Sequence, residues 1–481
     1  MRLLASLALL SSTALAFPTI LDPISAVSKV LSLTQDVSSE YLEIDPLFFD
    51  ATTGGHRKRC VLHPVKEGEG FDDDNLIRAV EECGNGGIIR LPDANYTINS
   101  PIKMELHNAL LSVSGFISFS TDIDNWVAKR VPLDFQNLAL AWVITGDNYV
   151  LDGHGSGGIY GNGQVWYSWA KEEGNKYGRP MSFAIVNSTN VTVQNWSVIQ
   201  PQFWASIVVR SENVLYKNYY VNATQYDPGA ANHTLTWLQN TDGCDTYVSN
   251  NVTFDGMIYQ GGDDCLALKP NSSAITARNV TCYGGTGIAF GSIAQYPGRT
   301  DWLVDIEMED IKLYPSRQHQ QQNGLYFKSW IGYPIGTPPN GGGGGLGYTK
   351  NIRIKNVEMK DNLRPVFVQT DLLYLIERQG EGRDTSLFKW EDIVMTNITG
   401  TSSDNRVVWL DCAKSAPCNG IRFEDFNVKP GKKDAKEINY VCNNVVLGGK
   451  DGLDVCHPSE SKKEPWYERP HKALKEFFVQ A

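Results

Sequence analysis

NVTVQN (190–195), NVLYKN (213–218), NVTFDG (251–256) and NVTCYG (279–284) are variants of one short segment, and DIEMED (305–310), NIRIKN (351–356), DIVMTN (392–397) and GIRFED (420–425) continue the series. Their starts lie 23, 38, 28, 26, 46, 41 and 28 residues apart. Recurrence at this period marks a repeat architecture, in which the shorter intervals are one turn of a coil and the longer ones a turn plus an inserted loop. Within each segment apolar and polar residues alternate, Val191 and Val193 against Thr192 and Gln194, which is the period of a strand with one buried face. No interval holds an amphipathic helix of βαβ length, so each strand must stack on its equivalent in the next turn. The chain is therefore predicted to be an all-β solenoid, a parallel β-helix. A β-sandwich would need hairpin signals at short regular spacing, and these are missing.

Two turns of this coil carry the most informative residues. NTDGCD (240–245) and GGDDC (261–265) place Asp242, Asp263 and Asp264 about one coil apart. Each acidic pair alone reads equally as a turn, where Asp is common. Together they suit glycosidic-bond cleavage, which needs one carboxylic acid to protonate the leaving oxygen and another carboxylate to activate water or attack the sugar. Neighbouring strand residues point to opposite faces, so Asp263 and Asp264 share a cleft only where the backbone bends or bulges, which Gly261 and Gly262 permit. Crowded like charges raise at least one pKa, so that one acid of the cluster stays protonated as a donor.

With NTD, a DD pair 21 residues later and the long glycine-rich stretch VLDGHGSGGIYGNGQVWY (150–167), the sequence resembles the family 28 glycoside hydrolases, the polygalacturonases and their pectin-degrading relatives. The resemblance runs to about Pro430 and implies a right-handed parallel β-helix. It also implies that Asp263 is the general acid, that Asp242 and Asp264 activate water in an inverting hydrolysis, and that Asn240 orients the cluster. In the general scheme inversion leaves ~6.5–9.5 Å between the carboxyls for that water. Lys328, in GLYFKSW (324–330), matches the lysine of the family's RIK segment and is expected to bind a sugar carboxylate.

Two positions depart from the family pattern. GTGIAFGS (285–292) puts Thr286 where a histidine is usual, and YFK puts Tyr326 where an arginine is usual. Both are retained as substrate-binding candidates. A phenol can stack or make one hydrogen bond but cannot clasp a carboxylate as arginine does. A literal RIK occurs at Arg353 to Lys355, inside NIRIKNVEM, where alternation explains both charges as one outward face of an ordinary rung. Tyr326 and Trp330 could stack on sugar rings or simply fill a loop.

The remaining composition describes a secreted enzyme. MRLLASLALLSSTALA (1–16) has one arginine, an apolar run and an Ala14-Leu15-Ala16 end, a signal peptide expected to be cut after Ala16. No later stretch approaches the ~20 apolar residues of a membrane span. Sequons begin at Asn95, Asn187, Asn190, Asn195, Asn222, Asn232, Asn251, Asn271, Asn279 and Asn397, of which some are expected to carry glycans. Nine cysteines suit several disulfides and one leftover. Local spacing pairs Cys60 with Cys83, Cys265 with Cys282, Cys412 with Cys418 and Cys442 with Cys456, leaving Cys244 free. No Cys/His group has zinc spacing, so neither metal nor cofactor is expected.

The segment 17–59 is expected to be an N-terminal arm or amphipathic helix, with HRKR (56–59) a charged surface strand or a dibasic processing site. FDDDNLIRAVEECG (71–84) reads as a capping helix at the open end of the coil, and one β-helix domain spans 60–481 with a C-terminal tail. The net charge of −11 argues against nucleic-acid partners, and a monomer acting on a pectic polysaccharide or oligogalacturonide is expected.

Three function classes follow from these residues. A pectin hydrolase uses the acids directly. A β-eliminating polysaccharide lyase needs a basic residue, and the NTD and DD spacing argues against it. A noncatalytic carbohydrate binder leaves the acids incidental. Insertions at 225–237, 314–347 (containing PPNGGGGG) and 372–387 are long enough to wall off one end of a cleft. Together with GTGIAFGS, similar to the exo-acting fungal branch, they point to release of terminal galacturonic acid from homogalacturonan. Exo-hydrolysis of rhamnogalacturonan is the alternative.

Overall fold

The computed structural model describes residues 40–230, 237–431 and 438–446, together with Cys456. The proposed signal peptide, the first part of the arm, the sequon at Asn232 and the tail beyond 446 apart from Cys456 lie outside these residues. Among the described residues, thirty-one strands form one continuous hydrogen-bonded array, a right-handed parallel β-helix. Among the described strands, antiparallel pairing is confined to Leu42–Asp50 with Gly55–Leu62 and Val131–Pro132 with Ala139–Asp152.

Alternation in the sequence becomes inside and outside of the coil. Val191 stacks on Val214, Val214 on Val252 and Val252 on Ile275, all buried in one core that runs the length of the molecule. Burying such side chains is worth roughly 1.5–3 kcal/mol each, and the stacking repeats it at every rung. The bends between strands fall at residues with positive φ: Asn190 (59°), Asn213 (57°), Asn251 (52°), Ala274 (52°), Asp305 (57°), Asn351 (55°) and Asp392 (54°). Asn and Asp tolerate this region because their short polar side chains bond locally. Here the amides form a ladder, Asn190 to Asn148 at 2.9 Å, Asn213 to Asn190 at 3.0 Å and Asn251 to Asn213 at 2.7 Å.

This corrects one member of the sequence repeat. NVTFDG stacks on AITARN (274–279), not on NVTCYG, which follows the next bend at Asn279 (φ 54°). Each coil has two such bends five residues apart, as at Asn190 and Asn195, and both favour asparagine, so the motif matched the wrong one. The literal RIK is a regular rung of strand Leu346–Asn362: Arg353 and Lys355 stand opposite Glu307 and Glu309, and Lys355 pairs with Glu309 at 2.8 Å.

At the N-terminal end, residues 42–62 are a β-hairpin rather than a helix or loose arm. HRKR lies within its second strand, where Arg57 donates to the carbonyls of Gly86, Gly87 and Asn108 at 2.7–2.8 Å. Helix Asp73–Cys83 caps the core with Leu76, Ala79 and Cys83, and Cys60–Cys83 ties it to the hairpin. Asp72 precedes this helix but does not cap it; its carboxylate accepts from the amides of Val65 (2.8 Å) and Thr97 (2.7 Å). The other disulfides are Cys265–Cys282, Cys412–Cys418 and Cys442–Cys456, and Cys244 is free and buried. Four disulfides indicate passage through an oxidising compartment. No described helix is long and apolar enough to cross a membrane.

Candidate active site

One sheet of the coil carries the acids on its outer face. Its strands include Cys244–Tyr247, Asp264–Leu268, Gly287–Ile293, Asn323–Trp330, Arg364–Leu372 and Arg406–Asp411. Inward, Cys244, Leu266, Ile288, Leu325, Val366 and Val408 stack in register; outward, Asp245, Ala267, Ala289, Tyr326, Phe367 and Trp409 do the same.

The anticipated bend at the DD pair is a bulge. Asp264 pairs with Gly287 while Leu266 already pairs with Ile288, so two residues on one strand face one on the next. Gly261 and Gly262 serve by lacking a side chain, since a Cβ there would lie 2.2 Å from the Tyr259 hydroxyl and 2.4 Å from Leu238 Cβ. Tyr259 locks the turn: its hydroxyl accepts from the Asp263 amide at 3.0 Å and lies 3.1 Å from the carbonyls of Thr241 and Asp263. Cys265–Cys282 braces the same strand from behind.

Asp242, Asp263 and Asp264 converge, their nearest oxygens all within 4.8 Å of one another. Strand spacing brings them together, because two acids are sequence neighbours and the third sits one rung over, ~4.8 Å away. Asp242 and Asp264 are buried, and Asp263 is half-buried at the cleft surface. Asn240 contributes its backbone N–H, which donates to Asp263 Oδ2 at 2.7 Å, and the Asp264 amide donates to Asp263 Oδ1 at 2.9 Å. Thr286, in the histidine's place, donates its hydroxyl to Asp264 Oδ1 and lies 3.4 Å from Asp263 Oδ1.

Lys328 is committed to the acids. Its Nζ lies 2.7 Å from Asp264 Oδ2 and 4.9 Å from the centre of the Tyr326 ring, and it is buried. Burial opposes its charge, but Asp264 and the neighbouring Tyr374, Tyr326 and Asp263 outweigh that and raise it well above the ordinary lysine value. Burial, then the charge of Asp263, pushes Asp242 well above the usual carboxylate range, and its Oδ1 has no partner among the described residues. Burial and then Asp264 raise Asp263, with Lys328 and the two amides opposing. The cluster thus retains a proton on Asp242 or Asp263 where isolated carboxyls have lost theirs. Three carboxylates at this spacing could bridge a small cation, although Lys328 already brings positive charge to Asp264.

Several contributors escaped the sequence reading. Lys269 lies 3.2 Å from Asp245 and 3.9 Å from Asp264, and burial pushes Asp245 up to about 7 against that lysine's pull. Arg179 is buried; it donates to the carbonyls of Gln202 (2.5 Å), Gly174 (2.9 Å) and Gln239 (2.8 Å) and so fixes the chain entering Asn240. Asp245 was visible within NTDGCD, but nothing in the sequence joins Arg179 to a turn 60 residues away. Tyr326 is stacked on Phe367 at 5.2 Å and bonds Gln369 through its hydroxyl at 2.6 Å. Trp330 is fully buried under the insertion with Ile331 and Leu372, so it fills a loop and cannot stack on a sugar.

The loop at 174–175 meets two of the insertions beside this sheet. Gly174 abuts Asn240, and the next residue, Asn175, donates to the side-chain oxygen of Asn340 at 2.7 Å. The Asn340 carbonyl in turn accepts from the amide of Tyr374, whose ring stands edge-on to Trp330 and lies within electrostatic reach of Lys328, Asp264 and Asp263. A bridge therefore runs from the Asn240 side of the acids to the Lys328 side.

Residues 106–447 match the family described as Glycosyl hydrolases family 28. An Aspergillus flavus protein named galacturan 1,4-alpha-galacturonidase A is 44% identical over 409 residues, 82% of this chain and 92% of its own length. An Aspergillus niger protein named alpha-L-rhamnosidase rgxB is 31% identical over 411 residues, 85% of this chain and 93% of its own. Among solved structures, the endo-xylogalacturonan hydrolase of Aspergillus tubingensis shares the fold with a TM-score of 0.66 at 22% identity, over 82% of this chain and all (100%) of that one. The chain is a glycoside hydrolase and belongs to family 28.

Proposed function

We propose that this protein is an exo-acting hydrolase that releases terminal galacturonic acid from homogalacturonan, as the name of its 44% identical relative states for that protein. The observation that carries this reading is the convergence of Asp242, Asp263 and Asp264 beside the Asn175–Asn340 bridge. A cleft blocked on one side admits a chain end and excludes a continuous polymer. Acting after passage through the secretory route, the enzyme meets its substrate outside the cell.

Asp263 reaches the cleft surface and carries a raised proton affinity, which suits donation to the leaving glycosidic oxygen. Asp264, held as an acceptor by Lys328 and Thr286, takes a proton from water with Asp242 beside it. The water oxygen bonds to the anomeric carbon as the carbon–oxygen bond to the leaving sugar breaks. Lys328 has N–H donors beyond the one aimed at Asp264, and these, with Tyr326 and Tyr374, face the incoming sugar acid.

The rhamnosidase relative at 31% identity keeps a second reading in view, hydrolysis of a terminal sugar from rhamnogalacturonan. Incubation with polygalacturonate and, separately, with rhamnogalacturonan oligomers tests the choice. Galacturonic acid from polygalacturonate supports the first reading, and release from rhamnogalacturonan alone replaces it with the second.

A further inference from the structure

Tyr326 stands where the family usually has arginine, and its neighbours fix the direction of its hydrogen bond as well as its place. The ring is half-buried on the outward row of the acid-bearing sheet, stacked on Phe367 with 8° between the planes, and its centre lies 4.9 Å from Lys328 Nζ. Its hydroxyl donates to Gln369 Oε1 at 2.6 Å. Gln369, which occupies the position of Lys328 on the next coil, donates from Nε2 to Asp371 Oδ1 at 3.1 Å. A two-bond chain thus links the phenol to a carboxyl that is buried on the same strand.

The chain can run only one way when Asp371 is ionised. A carboxylate accepts and cannot donate, so the nitrogen of the Gln369 amide must face it and the amide oxygen must face Tyr326. An amide oxygen cannot donate either, so the phenol supplies the proton of the second bond. A phenol has a single O–H, and once that is given to Gln369 its oxygen offers only lone pairs to the cleft. Burial, then Asp411, raises Asp371 to about 6, so the condition is met at pH 7. The neighbouring Asp411 is itself engaged by Arg383 at 3.3 Å and Asn443 at 2.8 Å.

We propose that Gln369 and Asp371 are positioning residues that hold Tyr326 as a hydrogen-bond acceptor toward the substrate, so that this position takes a sugar hydroxyl and leaves the sugar carboxylate to Lys328. The proposal rests on the sugar lying beside Lys328 and Tyr326, as in the function proposed above. Arginine carries donors and no acceptor, so tyrosine held in this way reverses the hydrogen-bonding sense of the position. A carboxylate oxygen set against the phenol would meet lone pair with lone pair, whereas a hydroxyl donates to it. Discrimination of this kind works by leaving the wrong group unpaired.

Two measurements on the full-length protein at pH 7 test this. The phenol C–O stretching band in the infrared difference spectrum of parent minus Y326F, taken without substrate, reports whether the hydroxyl donates; a donating phenol is expected, and one that only accepts would overturn the proposal. In digalacturonate hydrolysis, Y326F is expected to raise KM roughly 2–10-fold, the worth of one neutral hydrogen bond, with the larger change in KM and not in kcat. Q369K sets an ammonium donor between the phenol and Asp371, which uses the lone pair meant for the sugar, and is expected to raise KM at least as far. Q369E combined with D371N keeps an acceptor toward the phenol and a donor behind it, and is expected to bring KM back to within about threefold of the parent. Equal KM values for Q369K and for the Q369E/D371N double variant would show that Gln369 only fills space and would overturn the proposal. Failure of the parent to cleave digalacturonate sinks the functional reading instead, and the infrared band, which needs no turnover, then decides the direction of the bond.

Discussion

The side-chain amide of Asn175 donates to the side-chain oxygen of Asn340 at 2.7 Å, joining loops 165 residues apart over the sheet that bears the acids. One such bond contributes only about 1 kcal/mol, so the bridge is a gate that substitution can loosen without unfolding the coil. Asn340→Ala is expected to add short oligomers to the early products from polygalacturonate and to speed viscosity loss per bond cut. Chromatography of those products decides the matter; monomer alone, at the parent's viscosity profile, would show that the bridge does not set the mode of attack.

Replacing Asp242, Asp263 or Asp264 by Asn is expected to lower turnover by at least ~10²–10⁴, the usual worth of general acid or base help. Stability should not fall with activity at position 242. Asp242 is buried with an unpartnered oxygen and a strongly raised proton affinity, so a neutral amide relieves a native-state cost. Thermal melts beside kinetics check this, and near-parental turnover in the Asp263→Asn protein would refute its role as the acid.

Lys328 and Thr286 act through Asp264. Lys328→Met leaves a buried carboxylate without its cation and is expected to cost about 3–5 kcal/mol of stability along with activity. Thr286→Val keeps shape and loses one hydroxyl, so an approximately tenfold fall in kcat with little change in Tm is expected. Equal Tm for the parent and Lys328→Met would contradict the buried ion pair.

Asp371 offers a pH-dependent test away from the acids. Burial, then the nearby charge of Asp411, pushes its carboxyl up to about 6. Between about pH 4 and pH 6 the folded state therefore holds a proton that the unfolded chain has released, and stability falls as pH rises through this window. Asp371→Asn removes that loss, so its stability relative to the parent is expected to improve from pH 4 to pH 7 by up to about 2–3 kcal/mol. An identical difference at both pH values would exclude this contribution.

The coil was legible because Val191, Val214 and Val252 repeat a buried position after an asparagine bend, a purely local pattern. The same economy misled at NVTCYG, since two bends per coil use the same residue and Ala274 takes the left-handed conformation where asparagine was sought. Asp263 and Asp264 were legible as a bend, for strand alternation forbids two neighbours on one face without it. Arg179, Lys269 and Asn340 were not, because their partners are set by how many residues each coil inserts. Lys328 was legible from the YFK segment, but its ion pair with Asp264 was not.

Exo-attack by these three acids is tested most directly by following polygalacturonate hydrolysis from the first seconds by proton NMR, which reports both product size and anomeric form. Galacturonic acid monomer is expected as the sole new reducing sugar from the first time point, with inverted configuration because water attacks from the face opposite the leaving group. An early ladder of oligomers would contradict the exo mode, and monomer of retained configuration would show that one of the acids attacks the sugar instead of activating water.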